Sequence, residues 1–196
     1  NTFANCESVR RLIVNQASSS GAGLEEVEGS SPITSLAPLR NLRQTILPLE
    51  IINTEVTSLA GLENFSRGGL TISNNNMLQS LTGLDSYQGP SLTITDNDLL
   101  TSLQGFPPQL NQAVLVIDAN SALESLAGIN NPTELQRVFI ADNPVLTSLM
   151  GLEQVATISD GITISNNNGL ITLDGLGNTA LTGNLTVRDN DALTSL

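Results

Sequence analysis

The chain has 196 residues, 39% of them apolar but only 3% aromatic, with no Trp, so its core must be built from Leu, Ile and Val. Seven basic residues, all Arg, stand against nineteen acidic ones, a net charge of −12 with no His. That balance excludes the basic stripe of a nucleic-acid surface and repels an anionic membrane, and no run of about 18 apolar residues is present to span a bilayer. The charged fraction of 13% is low, so the surface is polar but mostly uncharged.

In chain order, Cys6 comes first. It is the one cysteine and has no mate within the chain, so it is either a buried free thiol or pairs with a cysteine outside this segment or in another subunit. Leu12-Ile13-Val14-Asn15 reads as a first strand. Residues 16–32, rich in Ser, Gly and Glu, read as an inserted loop, and the coil resumes at Ile33-Thr34-Ser35-Leu36-Ala37-Pro38-Leu39. A tighter coil runs from Leu49-Glu50-Ile51 to Val56-Thr57-Ser58-Leu59-Ala60-Gly61-Leu62.

From Leu70 a repeat is plain: L-x-I-x-x-N-x-x-L-x-S-L-x-G-L, recurring from Leu92, Leu115, Val138, Ile162 and Leu185 at spacings of 22, 23, 23, 24 and 23 residues. Leu70 and Ile72 alternate with Thr71 and Ser73, as in a strand with one buried face. Asn75 and its equivalents Asn97, Asn120, Asn143, Asn167 and Asn190 fall where the strand must bend; an amide carries donor and acceptor, so a stack of them satisfies turn backbone in neighbouring coils. Ser80 and its counterparts suit a tight second corner, and Gly83 permits a turn that a Cβ would hinder. About seven residues follow each Gly-Leu pair before the next strand, too few for a typical helix.

The prediction is an all-β, right-handed solenoid of coils of about 23 residues with parallel strands and little or no helix. It is one domain over 1–196, with an irregular N-terminal part over 1–48 and regular coils over 49–196, eight coils in all. With strands roughly 4.8 Å apart the stack is about 40 Å long, and each coil depends on its neighbours for burial. The last coil breaks off in mid-consensus at Leu193-Thr194-Ser195-Leu196. That leaves a ladder to be covered by more chain or by another subunit, and a repeated end-to-end contact would build a filament.

Ile33-Thr34-Ser35-Leu36-Ala37-Pro38-Leu39, Val56-Thr57-Ser58-Leu59-Ala60-Gly61-Leu62 and the L-T-I-x-x-N strands resemble leucine-rich-repeat-like solenoids, most closely the receptor L-domain family of cell-surface proteins. The resemblance covers the chain from about Cys6 onward and rests on core and turn residues. It implies an extracellular or cell-surface setting and a binding or scaffolding role. In that family an early Cys commonly pairs with another nearby, a mate that Cys6 lacks here.

The outward strand positions form columns. Thr71, Thr93, Val116, Phe139, Thr163 and Thr186 make one, beside Ser73, Thr95, Asp118, Ala141, Ser165 and Arg188. Flat Thr ladders serve ice-binding solenoids, but Thr also favours exposed strands in general. Phe139 points outward and offers a contact to a protein or a sugar. The acidic corners Asp96-Asn97-Asp98 and Asp189-Asn190-Asp191 could hold calcium, or simply solvate turns, since Asn74-Asn75-Asn76 occupies the same place without charge. Otherwise no cofactor is expected. Two glycosylation sequons begin at Asn64 and Asn184, both read as lying in inter-coil connectors.

Catalysis has little to use: no His, no Lys, no phosphate loop, no zinc spacing, and no insertion that builds a cleft. The chain therefore reads as no enzyme. Three functions fit: an extracellular structural or adhesion solenoid, perhaps part of a surface filament or wall layer; a ligand-binding receptor ectodomain; or a binder of ice or another flat surface. The partners expected are proteins, further copies end to end, or glycans.

Overall fold

The structure, a computed structural model, describes residues 8–9, 12–15, 26–28, 32–130 and 132–195. Cys6 lies outside the described residues. The strands are β1 (Ser8–Val9), β2 (Leu12–Asn15), β3 (Glu26–Glu28), β4 (Gln44–Thr45), β5 (Leu49–Ile52), β6 (Leu70–Ser73), β7 (Ser91–Thr95), β8 (Val114–Asp118), β9 (Glu134–Leu135), β10 (Arg137–Ala141), β11 (Thr157–Ile158), β12 (Gly161–Ser165), β13 (Ala180–Leu181) and β14 (Asn184–Arg188). One 3-10 turn covers Ala37–Leu39.

A nine-stranded parallel sheet runs in the order β14-β12-β10-β8-β7-β6-β5-β2-β3. The chain is a β-solenoid of about six turns with almost no helix, fewer than the eight coils counted in the sequence. Leu49, Leu70, Leu92, Leu115, Val138, Ile162 and Leu185 are in register from strand to strand. A second, three-stranded sheet of β9, β11 and β13 lines the connector side of the later coils.

One expectation is corrected. The segment read as an inserted loop contains β3, which pairs in parallel with the outer side of β2 and places Val27 beside Val14. Three residues were too short to show an alternating pattern. The rest of 16–31 is outside the described residues.

The core is one continuous column. Leu70, Ile72, Leu78, Leu81 and Leu84 are buried in one coil, and their equivalents in the coils on either side join the same cluster. Each such side chain contributes about 1.5–3 kcal/mol when buried, but only because adjacent coils cover it. The connector side adds Phe65 and Tyr87, whose rings stack with centroids 5.7 Å apart. The Tyr87 hydroxyl donates to the carbonyls of Gly68 and Ser91. In the final described coil Leu185 is 49% exposed, and Leu173, Leu176, Leu181, Val187 and Leu193 are only partly buried.

The two corners are held differently. At the first, each Asn amide clamps two coils. The Asn120 Oδ1 accepts from the Asn97 backbone N–H at 3.1 Å, while its Nδ2 donates to the carbonyls of Ile94 at 3.0 Å and Asp118 at 2.9 Å. The same pattern runs from Thr54, whose N–H and hydroxyl both reach Asn75 Oδ1, through to Asn190. At the second corner the Ser80 hydroxyl accepts from the Thr82 N–H at 3.1 Å, with equivalent bonds at Ser35, Ser58, Ser125 and Thr172. Just beyond it, Gly83 has φ +116°, and a Cβ there would lie 2.2 Å from the Leu59 carbonyl oxygen.

Candidate binding face

The residues of the main sheet that point away from the core form straight rows because every strand pairs without a slip. Thr71, Thr93, Val116, Phe139, Thr163 and Thr186 are successive register partners, and the row continues to Glu50. Thr71 to Thr163 are half-buried by their neighbours and Thr186 is exposed. A second row places Ser73, Thr95, Asp118, Ala141, Ser165 and Arg188 side by side. A third brings Ser91, Val114 and Arg137 together. Spacing within a row is about 4.8 Å and between rows about 6.6 Å.

Phe139 lies on β10, the third strand from the β14 end of this face. Its row neighbours are Val116 and Thr163. On its own strand it is flanked by Arg137 and Ala141, and the next strand begins with Gly161. The Arg137 guanidinium lies 3.9 Å from the Asp160 carboxylate. Asp118 is one strand over. Partial burial pushes its carboxyl above the ordinary value, and the nearby charges of Asp142 and Asp96 act in the same direction.

The acidic corners have a backbone role that sequence reading missed. The residue before a ladder Asn has left-handed φ at Asn74, Asp96, Asp142, Asn166 and Asp189, as does Asn53 before Thr54, all between 53° and 57°. Asn and Asp are the non-Gly types that best tolerate this conformation, and their recurrence immediately before each Asn was the available signal. Ala119, at φ 53°, is the exception. Asp98 accepts from the Ser121 hydroxyl at 2.8 Å, and Asp189 pairs with Arg188 at 3.0 Å. Among the described residues no group of three or more His, Cys, Asp or Glu side chains converges as a metal site would require, so Asp96, Asp98, Asp189 and Asp191 are not gathered around one point.

The sequons separate. Asn64 lies in an exposed connector, with its Nδ2 donating to the Arg40 carbonyl at 2.7 Å. Asn184 does not lie in a connector, as expected from sequence, but is the first residue of β14, paired with Gly161. The connector before it is shorter than the repeat suggested because the strand starts one residue ahead of the consensus Leu. Sequence reading also passed over an exposed apolar stripe at the first corner, formed by Met77, Leu99 and Val145 in equivalent positions. No helix among the described residues is long and apolar enough to cross a membrane.

Fold and face together define a leucine-rich β-solenoid with one flat, hydroxyl-rich side. No family model, curated protein or solved structure matches the chain.

Proposed function

We propose that this chain is a non-catalytic extracellular scaffold or adhesion solenoid that works by presenting its main sheet to a partner. The observation that carries this reading is the outward face itself: rows of Thr, Ser and small apolar residues held in strict register across the strands. The sequons and the likeness of the repeat to receptor L-domains support the surface setting.

The test is adhesion of protein-coated beads to cell-wall and matrix polymers. Wild type is compared with Thr93→Glu and Thr163→Glu on the sheet and with Ser159→Glu on the connector side. Loss of adhesion with the two sheet variants only is the expected result. Equal adhesion by all four proteins, or none by wild type, overturns the reading.

A second reading is binding to an extended crystalline surface such as ice, favoured by the direct pairing of Thr71 with Thr93 and Thr163 with Thr186. Thermal hysteresis measured at high protein concentration decides it, and a null result ends it.

A further inference from the structure

The residue just past each ladder Asn is Asn76, Asp98, Ser121, Pro144, Asn168 or Asp191, and the residue after that is Met77, Leu99, Ala122, Val145, Gly169 or Ala192. In one coil alone an Asn stands here before Gly, and Asn168 is the one asparagine of the whole chain in that setting. The pairing matters chemically. A side-chain amide is open to attack by the backbone nitrogen that follows it, and a Cβ on that next residue hinders the approach. Glycine has none.

Packing holds the glycine in place. A Cβ at position 169 would lie 2.5 Å from the Pro144 carbonyl oxygen, so this corner sits closer to the preceding coil than a side chain permits. Asn168 itself is held by nothing. The Leu170 N–H donates to the Asn167 carbonyl at 2.9 Å, which makes Asn168 and Gly169 the two central residues of a turn. Asn168 is exposed, and neither its amide nor the Gly169 N–H has a hydrogen-bond partner among the described residues.

The other corner asparagines are protected. Asn167 is buried, and its Nδ2 donates to the carbonyls of Ile140 at 2.9 Å and Ser165 at 3.1 Å. Asn120 precedes the small Ser121 but is buried and bonded in the same way. Asn76 is exposed, yet it precedes the bulky Met77.

We infer that Asn168 is a site of spontaneous deamidation. The Gly169 nitrogen bonds to the Asn168 side-chain carbonyl carbon. The amide nitrogen leaves as ammonia, taking the proton lost from the Gly169 N–H. Water then opens the five-membered imide at either carbonyl, and nothing is oxidised or reduced. One product is aspartate. The other is isoaspartate, whose main chain runs through the former side chain.

The two products differ in what they do to the fold. Aspartate fits, because Asp98 and Asp191 hold the equivalent place, and Asp98 accepts from the Ser121 hydroxyl at 2.8 Å. It adds one negative charge to the net −12. Isoaspartate lengthens the backbone by a methylene between Asn167, whose N–H is met by Asn190 Oδ1 at 2.9 Å, and Leu170, which is buried in the column. The joint between these two coils therefore loosens as the protein ages, whatever the sheet face binds.

The test is to age the folded protein for several weeks in mildly alkaline buffer at body temperature, with melting curves taken at intervals to show that it stays folded. Peptide mass mapping locates each gain of a single mass unit, and enzymatic methylation specific for isoaspartate measures that product. Wild type is compared with Asn168→Ser, Asn168→Asp and Asn76→Ser. Conversion concentrated at Asn168, lost in Asn168→Ser and unchanged in Asn76→Ser, is expected. The isoaspartyl fraction should melt several degrees below wild type, while Asn168→Asp melts with it. An Asn168 that stays unmodified, or converts no faster than Asn76, overturns the site. An isoaspartyl fraction that melts together with Asn168→Asp overturns its effect on the ladder.

Discussion

The two halves of each coil obey different rules. From the first core residue of the strand to the ladder Asn is five positions in every coil from Leu70 onward, and from that Asn to the turn Gly is eight in each coil that reaches it. From Gly to the next strand the count varies, from nine between Gly61 and Leu70 to eleven between Gly151 and Ile162. In the constant half, side-chain amides bond to named backbone atoms one coil away, and a single extra residue would misplace all of them. In the connector half, cohesion comes from apolar packing and short backbone pairings such as β9 with β11, which accommodate a bulge. Specific hydrogen bonding fixes length; hydrophobic contact fixes only composition.

The sharpest way to break that contrast is at the amide ladder. Asn120→Asp puts an acceptor where Nδ2 now donates to the Ile94 and Asp118 carbonyls, leaving buried groups unpaired. A loss of about 3–5 kcal/mol is expected in urea unfolding, whereas a residue inserted after Ser159 in the connector should cost much less. A similar loss from both would erase the distinction.

Gly83→Ala comes next. Its Cβ would collide with the Leu59 carbonyl at a φ that L residues avoid, for an expected cost of about 3 kcal/mol. Gly177→Ala, with nothing within 4 Å of the added atom, should leave the melting temperature nearly unchanged.

On the connector side, Tyr87→Phe removes a hydroxyl bonded to the Gly68 carbonyl and should cost about 1–2 kcal/mol. Burial pushes the Tyr87 phenol well above its ordinary value. Its contribution is therefore complete below about pH 10 and declines as pH rises beyond that. Wild type should lose stability in strong alkali more steeply than Tyr87→Phe, as followed by thermal melts across that range.

The smallest effect has the opposite sign. Ala119 sits in the left-handed region, so Ala119→Asn should stabilise by about 0.5–1 kcal/mol. A destabilised Ala119→Asn would show that the corner is set by something other than backbone preference.

These differences explain what could be read before the fold was known. The Leu70/Ile72 alternation and the Asn positions were legible because each demands one residue type at one spacing. The two-residue strands of the second sheet were not, because backbone atoms make their bonds and any sequence supplies them. The left-handed corner was half legible: Asp96 and Asn74 carry the signal, and Ala119 carries none. The outward row from Thr71 to Thr186 followed directly from the strand register. What it touches did not, since outward residues are free of the constraints that make the inside repeat.

The amide ladder also points one way. Each Asn acceptor serves the coil before it, and each Asn backbone N–H is met by the coil after it, as Asn97 is by Asn120 and Asn120 by Asn143. A nascent chain would therefore set in place turn by turn, every arriving coil completing the one already laid down. Because all interior turns offer the same two complementary surfaces, removing or duplicating a segment from one ladder Asn to the next should give a shorter or longer protein with its internal bonding intact.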